Sequence, residues 1–555
     1  MTEEKKPEPK TGLAALDELF QAVNRSDSPG LVVGVAQHGR TVYRRGFGLA
    51  SVELGVANSP STRMRIGSTS KHFTCLAALL LQEEGKLDVD ASVRRYVPEL
   101  PVLAGEPTLR QLMTHSGGQR CYLDVGFLSD GMVIQPKGQA LATLVRQTEV
   151  NFAPGEKMMY NNGGYHLLSI VIERVGGMPF EQFLKERIFT PLAMIDTASV
   201  PSDLEIHRGM ATLHVPLPPE QGGGWRRGIF PTEEVRGEGA MISTVDDMLR
   251  WLAHMRGPKI VGSESSWRQM LTPARLNNGL VNTYALGLMV HRYRGIDVVH
   301  HAGGVIGGTC QMLTVPSQAL DIIIITNGTP ANPVELANKI VDAMVGDAAL
   351  GPVDAKAASD HFKPMLGARY HSPSSGLVAG FVEAPDGRLG LAFLNGPPVP
   401  LRDEGEALRL GFEDMATGPI VVKAGELASE GGSVPVALTL SEAGHVERLE
   451  RLPETPPTLA DAGAALLGRY RAQDLGADAR VAFEGEALRL RIFGSHGTSV
   501  LTLQAYSADV FAWASEADPQ VRGVLSVDRG ADGTVTGFRA DSSRTRRMQF
   551  LRLAD

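Results

Sequence analysis

Residues 68–71 read Ser68-Thr-Ser-Lys71 and open an apolar stretch that continues from Phe73 to Leu81. In a helix, side chains three residues apart lie on one face, so the Ser68 hydroxyl and the Lys71 amine are expected to be neighbours. The apolar stretch predicts a buried helix in which Lys71 is partly desolvated. A desolvated amine has a lowered pKa and can take a proton from a serine hydroxyl. The spacing therefore indicates a serine nucleophile with a lysine base.

The composition predicts a globular chain of about three domains. The 555 residues are 43% hydrophobic and 21% charged, with a formal net charge of -8. Because Lys and Arg form no extended cluster, neither nucleic acid nor a membrane is predicted as a partner. Residues 1–11 are expected to form a disordered tail and lack the apolar stretch of a signal peptide, which favours a cytoplasmic location. The three cysteines, Cys75, Cys121 and Cys310, are widely scattered, so a disulfide framework is not expected.

The part of the chain before residue 348 alternates between strand-like and helix-like patterns. Alternating apolar and polar residues in Gly30–Leu49 predict a β-hairpin. Helical patterns follow, and the longest Gly/Pro-rich loop between them, Val215–Phe230, has the length of a lid or a binding wall. The later elements that the sequence predicts are strands at Tyr284–Arg292, Val298–His301, Gly308–Thr314 and Leu320–Thr326 and a helix at Val334–Val345. Strands at both ends with helices between them predict an α+β domain over residues 12–347.

The composition changes after Gly346, and residues 348–363 are predicted to form a linker. Leu366-Gly-Ala-Arg-Tyr370 recurs approximately as Leu467-Gly-Arg-Tyr470, an offset of about 100 residues that indicates an internal duplication. We therefore predict two tandem β domains, at 364–452 and 460–555, joined by a linker at 453–459.

Two further motifs carry side chains suited to the chemistry of acyl groups. Tyr160 and Asn162 precede a helical stretch, where a phenol can shuttle a proton and an amide can hold a substrate carbonyl. His301 is followed by Gly303 and Gly304, and glycines let the backbone approach a ligand and present N–H groups to an oxyanion.

Each of these motifs also has a structural interpretation. Asn162 could cap the helix that follows it. His300 and His301 are adjacent, so in a strand they face opposite sides, and we assign His301 to the site and His300 to the structure. No spacing typical of metal ligands occurs near them, and no metal site is predicted. Cys75 and Cys310 are expected to be small buried side chains.

Taken in order, three motifs resemble those of the serine β-lactamase and penicillin-binding-protein superfamily: Ser68-x-x-Lys71, Tyr160-x-Asn162 and His301-x-Gly303. Their order and wide spacing are similar to the branch with class C β-lactamases, family VIII esterases and D-aminopeptidases. Leu112–Gly117 and Gly239–Met248 also look like this family, and the resemblance covers Leu13–Gly346. The two C-terminal domains, and a histidine in place of the penicillin-binding-protein lysine, narrow the resemblance to the D-aminopeptidase group. That group implies lipocalin-like β-barrels.

The resemblance implies acyl transfer without a cofactor. Ser68 attacks a carbonyl while Lys71 and Tyr160 share the proton. The backbone N–H groups of Ser68 and Gly304 would hold the oxyanion, and Asn162 would position the substrate amide.

The substrate is less well determined. An aminopeptidase needs an anion for the α-amine, and the resemblance implies that a loop of the last domain enters the active site. The loop Ser515–Gly523 carries Glu516 and Asp518, which suit an amine, whereas Phe493–Ser499 has no carboxylate. Amide hydrolysis in short or unusual peptides ranks first, including D-residue peptides and linearised non-ribosomal peptides such as linear microcystin. A family VIII-type carboxylesterase and a slow penicillin-binding or sensing protein are the alternatives, and a homodimer stays open.

Overall fold

The structure is a computed structural model, and it describes residues 12–328, 330–352, 360–385, 387–403, 407–410, 420–424 and 434–554. The predicted tail at 1–11 and residues 353–359 of the predicted linker lie outside these ranges. None of the helices within these ranges combines the length and the hydropathy of a membrane-spanning segment.

The α-helices of the described residues are α1 (Leu13–Leu19), α2 (Lys71–Glu83), α3 (Leu109–Met113), α4 (Tyr122–Asp130), α5 (Gln139–Val145), α6 (Asn162–Gly176), α7 (Phe180–Leu184), α8 (Val245–Arg256), α9 (Glu264–Met270), α10 (Pro333–Val345) and α11 (Leu459–Ala464). Short 3₁₀ turns occur at Gln21–Val23, Gly67–Ser70, Val93–Arg95, Pro219–Gln221, Pro316–Gln318 and Asp360–Met365, and a π turn at Lys185–Phe189.

The strands up to residue 326 are β1 (Leu31–Gln37), β2 (Arg40–Phe47), β3 (Leu49–Ser51), β4 (Val56–Ala57), β5 (Met64–Arg65), β6 (Ala198–Ser199), β7 (His214–Pro216), β8 (Trp225–Arg227), β9 (Met241–Ser243), β10 (Met289–Tyr293), β11 (Ile296–Val305), β12 (Gly308–Val315) and β13 (Leu320–Thr326). The later strands are β14 (Arg369–His371), β15 (Val378–Glu383), β16 (Leu389–Phe393), β17 (Val399–Asp403), β18 (Ala407–Leu410), β19 (Ile420–Ala424), β20 (Ala437–Glu442), β21 (His445–Arg451), β22 (Gly468–Ala472), β23 (Ala477–Glu484), β24 (Ala487–Phe493), β25 (Thr498–Ala505), β26 (Val510–Ser515), β27 (Arg522–Arg529), β28 (Val535–Ser542) and β29 (Met548–Arg552).

The chain divides into two compact units, each built from separate segments. Of the described residues, those within 1–90, 168–273 and 284–354 form the first unit, and those within 91–167, 274–283 and 355–555 form the second. The domain limits predicted from the sequence stay a prediction.

The first unit is built on a six-stranded antiparallel sheet in the order β10-β11-β12-β13-β1-β2. Strands β1 and β2 form the predicted hairpin, and β1 pairs with β13 from Leu31 opposite Thr326 to Gln37 opposite Leu320. Because side chains alternate along a strand, the two faces of this sheet pack against different helices. Helices α1 and α10 share an apolar cluster with one face, and α8 packs closely on the other.

Close approach of α8 to the sheet depends on a glycine in β1. A Cβ on Gly34 would lie 2.2 Å from Cγ1 of Val245, so a side chain at this position would displace the helix. Helix α2 is also deeply placed, and all of its residues from Lys71 to Leu81 are buried. The buried helix that the apolar stretch predicts is therefore present.

Two predicted elements of the first unit differ from the structure. Strand β10 begins at Met289 rather than Tyr284, because the chain turns at Gly287, which has a φ of 71°. The long loop predicted at Val215–Phe230 contains part of a small hairpin formed by β7 and β8.

The second unit contains α3 to α5 and two closed β-barrels, β14–β21 and β22–β29, in which each strand pairs with the next. Tyr370 and Tyr470 occupy corresponding places in the first strand of each barrel, and both are buried and donate to a backbone carbonyl. This agrees with an internal duplication. Val125 and Leu128 of α4 pack into the apolar cluster of the second barrel. The predicted α+β fold with two C-terminal barrels is confirmed.

Candidate active site

Ser68 and Lys71 lie in what we call the nucleophile turn, residues 67–71. Ser68 belongs to a 3₁₀ turn, and helix α2 begins only at Lys71 rather than including both residues. Side chains three residues apart are aligned in a 3₁₀ turn, so the two groups still meet. The Lys71 Nζ lies 3.1 Å from the Ser68 Oγ and donates to the Glu238 carbonyl at 2.6 Å. Lys71 is fully buried, whereas Ser68 is half-buried and accessible to a small reactant.

The other hydroxyls around the nucleophile turn bond to backbone carbonyls. Ser70 Oγ donates to the Gly67 carbonyl at 2.7 Å, and Thr69 Oγ1 donates to the His301 carbonyl at 3.1 Å. Thr74 Oγ1 donates to the Gly237 carbonyl at 2.8 Å. The Thr69 bond joins the turn to β11, and the Thr74 bond joins α2 to the segment before β9.

Glycines allow the end of β11 to approach the nucleophile turn. A Cβ on Gly303 would lie 1.8 Å from the Ile66 carbonyl oxygen, and a Cβ on Gly67 would lie 2.7 Å from the Gly304 nitrogen. A Cβ on Gly304 would meet no atom within 4 Å, so this residue borders open space. The Gly304 backbone therefore lies beside the turn that carries Ser68, as an oxyanion site at this position requires.

His301 is buried, and its hydrogen bonds define its tautomer. Nδ1 lies 2.6 Å from the Ala302 carbonyl, which can only accept, so Nδ1 carries the proton. Burial, with a smaller contribution from nearby Lys71, lowers the pKa of His301 to about 3. The ring is therefore neutral at physiological pH, and Nε2 accepts from the Tyr284 hydroxyl at 2.9 Å. This arrangement orients the ring and leaves it a poor proton carrier.

His300 faces the other side of the strand, as expected, and belongs to a hydrogen-bonded chain. The Gln311 Nε2 lies 3.1 Å from His300 Nδ1, and His300 Nε2 lies 2.7 Å from His291 Nε2. Burial lowers the pKa of His300 well below its usual value, and the neighbouring His291 adds to the effect. These contacts agree with a structural role.

Tyr160 and Asn162 lie in the second unit, in what we call the phenol turn, residues 160–162. Asn161, not Asn162, caps α6, because its side-chain oxygen accepts from the Gly164 N–H at 3.3 Å. Its own N–H donates to His115 Nδ1 at 3.0 Å, and the His115 and Tyr160 ring centroids are 4.1 Å apart. Asn162, the first residue of α6, is only 8% exposed. His115 comes from the stretch 112–117 that carries part of the family resemblance.

The loop between β28 and β29, residues 543–547, also contacts the phenol turn. We call it the barrel loop. The Arg544 guanidinium lies 4.9 Å from the Tyr160 ring centroid. Asp124 of α4 holds the loop by accepting from the Arg544 N–H at 2.9 Å and from Ser542 Oγ at 2.7 Å. Burial alone would lower the pKa of Arg544, but Asp124, Cys121 and Tyr160 raise it, so the cation is stable here.

The sequence analysis did not identify Arg544. The available signal was the short run Arg544-Thr-Arg546-Arg547, three cations in one turn of a β domain that is otherwise mixed in charge.

The acidic residues predicted for the site lie in a different loop. Glu516 accepts from Arg489 at 2.6 Å and from Thr502 at 3.0 Å, and the hydrogen bond from Arg489 is the main reason why its pKa is lowered. Asp518 accepts from the Gln520 N–H at 2.9 Å. In the loop Phe493–Ser499, the N–H of His496 donates to Asp130 of α4 at 2.7 Å.

The residues predicted for the site thus fall into separate sets. Ser68, Lys71, His301, Gly303 and Gly304 belong to the first unit, where the structure brings them together. The second unit contains the others, Tyr160, Asn162, Glu516 and Asp518, and the Glu516 carboxylate is engaged by other residues of its barrel. The cysteines Cys75, Cys121 and Cys310 are buried thiols, and burial raises the pKa of Cys310 to about 12.

Comparison with known proteins agrees with the motifs. A family model described as Beta-lactamase matches residues 16–346. D-aminopeptidase of Brucella ovis is 26% identical over 561 residues, covering 98% of this chain and all of the relative. The octameric penicillin-binding protein homologue from Pyrococcus abyssi has a TM-score of 0.53 at 20% identity and covers 88% of this chain and 98% of its own. D-amino acid amidase from Ochrobactrum anthropi SV3 has a TM-score of 0.50 at 21% identity, with 60% and 98% covered. The expected serine hydrolase is confirmed, and the chain belongs to the β-lactamase family.

Proposed function

We propose that the protein hydrolyses amide bonds of short or unusual peptides through an acyl-enzyme on Ser68. The observation that carries this proposal is the 3.1 Å separation between the Ser68 Oγ and the buried Lys71 Nζ. A lysine that is fully removed from water can act as a base, because burial disfavours its charged form. The match to D-aminopeptidase over nearly the whole chain supports an amide as the reacting bond.

The first chemical step forms the acyl-enzyme. The Ser68 Oγ attacks the substrate carbonyl, and its proton passes to the neutral Lys71 Nζ, whose bond to the Glu238 carbonyl keeps the amine in place. The backbone N–H groups of Ser68 and Gly304 stabilise the oxyanion, which the close approach at Gly67 and Gly303 supports.

The second step expels the amine and then restores the serine. We assign proton delivery to the leaving nitrogen to Tyr160, whose ring lies beside the Arg544 cation, and that cation favours the phenolate that remains. Water then attacks the acyl carbonyl as the Tyr160 phenolate removes a proton from it. Ser68 leaves with the proton that Lys71 has held since the first step, so both groups return to their starting states. Asn162 is assigned to the substrate amide, and His301 acts as a positioning residue for the Ala302–Gly304 strand.

We also propose a substrate class, which is more specific than the family membership. The names of the relatives, D-aminopeptidase and D-amino acid amidase, support peptides and amides of D-residues as the substrates. Linearised non-ribosomal peptides such as linear microcystin are included in the proposal because they are short and carry unusual residues. The cytoplasmic location and the homodimer stay expectations from the sequence.

Labelling with a fluorophosphonate tests the acyl-enzyme directly. Intact mass and peptide mapping should show one adduct on Ser68, and Ser68→Ala should remain unlabelled. Ser70→Ala is a suitable control, because Ser70 is a neighbouring hydroxyl bonded to the Gly67 carbonyl, and it should still be labelled at Ser68. An adduct that persists in Ser68→Ala would refute the assignment.

A substrate panel tests the reaction class. D- and L-aminoacyl para-nitroanilides, short para-nitrophenyl esters and one cephalosporin should be compared by kcat/KM. We expect the anilides of D-residues to be hydrolysed with multiple turnovers. Turnover of esters alone would favour a carboxylesterase, and a single acylation without release would favour a penicillin-binding or sensing protein.

A further inference from the structure

We propose that the cavity beside Tyr160 binds a carboxylate group of the substrate, with the Arg544 guanidinium as its partner. This inference rests on the proposed function only through the role given to Tyr160. The expected substrates are then peptides that carry a carboxylate close to the cleaved bond, rather than peptides recognised by their α-amine.

The cavity lies within the second unit and has a volume of about 560 Å³. Cavities of a few hundred cubic ångströms are typical of sites for small organic ligands. Its wall combines the phenol turn and the barrel loop with both barrels. Apolar side chains form much of the surface, among them Phe127, Met158, Phe393 and Trp513. A ligand that fills it would therefore have an apolar body and few polar groups.

Among the described residues, the Arg544 guanidinium keeps its hydrogen-bond donors unused, whereas Arg522 and Arg546 of the same wall donate to backbone carbonyls. No described residue accepts a hydrogen bond from the Arg544 guanidinium, which lies 4.9 Å from the Tyr160 ring centroid and near enough to Asp124 and Cys121 for both to raise its pKa. Lys157 also lines the cavity, and its Nζ lies 5.6 Å from the Phe152 ring centroid without an ion pair among the described residues. An arginine with its donors unused can bind a carboxylate through two parallel hydrogen bonds.

The acidic groups of the wall are already engaged or disfavoured as anions. Asp124 accepts from the Arg544 N–H and from Ser542 Oγ, and Glu447 accepts from Ser372 Oγ at 2.5 Å. Burial raises the pKa of Glu442, although Lys157 and Arg546 oppose this shift. Glu442 is therefore the remaining candidate for binding an amine. The experiment must distinguish binding of an amine by Glu442 from binding of a carboxylate by Arg544.

Two matched pairs of substrates place a carboxylate on either side of the cleaved bond. N-glutaryl-D-alanine para-nitroanilide and its N-pentanoyl counterpart differ by a carboxylate in place of a methyl group on the acyl side. N-pentanoyl-D-alanyl-D-alanine and its C-terminal amide differ on the leaving side. D-alanine para-nitroanilide supplies the α-amine for comparison. We expect one pair to favour the carboxylate by about 10- to 100-fold in kcat/KM, the usual range for a charge-assisted hydrogen bond.

Arg544→Gln should bring that ratio close to one, and Arg544→Lys should retain part of it. The backbone contacts of residue 544 with Asp124 and Cys121 do not depend on its side chain, so the loop should stay in place. Arg522→Gln is the matched control, because Arg522 lines the same cavity but donates to the Asn395 carbonyl at 3.0 Å. It should leave the ratio unchanged. An equal loss for both members of each pair would show that Arg544 acts only on Tyr160 and would overturn the proposal. A preference for the α-amine substrate would also overturn the proposal, if Glu442→Gln abolished that preference.

Binding to the Ser68→Ala variant separates this inference from the proposed reaction. Trp513 lines the cavity and is one of four tryptophans, so its fluorescence can report occupancy. N-glutaryl-D-alaninamide and N-pentanoyl-D-alanyl-D-alanine should be titrated against N-pentanoyl-D-alaninamide. Tighter binding of a carboxylate ligand, if Arg544→Gln abolishes it, would support a carboxylate site in the cavity. This would hold even if Ser68 proved not to be the nucleophile. Equal binding of all three ligands would refute it even in an active enzyme.

Discussion

The nucleophile turn and the phenol turn are held by different kinds of partner. Around the nucleophile turn, Lys71, Thr69 and Thr74 all donate to backbone carbonyls, and glycines set the distance to β11. Around the phenol turn, Asn161 Nδ2 donates to the Gln119 carbonyl, but the Asn161 N–H and the Tyr160 ring contact the side chains of His115 and Arg544. The Arg544 N–H and Asp124 are separated by 420 residues along the chain.

This difference determines which substitutions should disrupt each turn. A backbone carbonyl is supplied by any residue, so the nucleophile turn should fail mainly when its own side chains or the nearby glycines change. Side-chain partners depend on residue identity, so the phenol turn should be sensitive to substitutions far away in the sequence. The predictions below test this comparison, beginning with the largest expected effect.

Lys71→Arg should lower kcat by about 10³-fold, within the usual range for loss of a general base. A guanidinium stays protonated at any working pH and cannot accept the Ser68 proton. Turnover of the best anilide substrate measures the effect. Lys339→Arg is the control, since Lys339 is exposed and pairs with Glu335 at 2.6 Å. Retention of more than about a tenth of wild-type kcat, a loss below about 1.4 kcal/mol, would show that Lys71 is structural.

Gly303→Ala should destabilise the first unit by about 3 kcal/mol, because its Cβ would overlap the Ile66 carbonyl, which belongs to the backbone and cannot rotate away. Gly304→Ala is a matched comparison with open space at the Cβ position. It should change stability by less than about 0.5 kcal/mol while lowering kcat/KM, because the methyl group would border the oxyanion site. Urea unfolding and kinetics measure both. Similar destabilisation by the two variants would contradict the close approach at Gly303.

The same comparison explains which parts of the site the sequence could predict. Ser68 and Lys71 are close because of a local spacing, which holds in a 3₁₀ turn as well as in a helix. Gly303 and Gly304 lie two and three residues after His301, so a strand end beside a ligand could be inferred from that short stretch. The apolar alternation likewise predicted the β1–β2 hairpin, and the approximate recurrence of Leu366–Tyr370 at Leu467–Tyr470 predicted the paired barrels. All of these signals lie within a few residues or in a repeat.

Contacts between distant side chains left no such signal. Arg544 reaches Tyr160 only because the second barrel packs against α4, and no single stretch of sequence specifies that packing. Glu516 had the right charge for an amine, but Arg489 of β24, two strands away in the same barrel, already pairs with it. The capping residue was also displaced by one position, since Asn161 and Asn162 are chemically identical and only the backbone geometry distinguishes them.

Acid should weaken the surroundings of the nucleophile turn. The pKa of His301 falls from its ordinary 6.5 to about 3 on folding, mainly through burial. Its contribution to stability is therefore complete above pH 6.5 and is lost as the pH falls toward 3, because the unfolded chain binds the proton first. We therefore expect His301 to lower the free energy of unfolding by about 2 kcal/mol as the pH falls from 6.5 to 5. His301→Gln should reduce the difference in unfolding free energy between pH 7 and pH 5, whereas His207→Gln, at a half-exposed position, should not. An unchanged difference in His301→Gln would contradict the burial effect.

Asp124→Asn should have the smallest effect and acts on the phenol turn from a distant position. The carboxylate accepts from the Arg544 N–H at 2.9 Å and from Ser542 Oγ at 2.7 Å. An amide of the same size keeps one acceptor oxygen but loses the charge, so we expect a loss of about 1 kcal/mol of local stability and a severalfold decrease in kcat. Hydrogen exchange of the peptide containing residues 543–547 should accelerate, while exchange at the nucleophile turn should not change. Ser543→Ala is the control, because the Ser543 hydroxyl is exposed and lies 3.4 Å from the same oxygen. If Asp124→Asn left both exchange and kcat unchanged, the phenol turn would not depend on its distant side-chain partners, and its contrast with the nucleophile turn would fail.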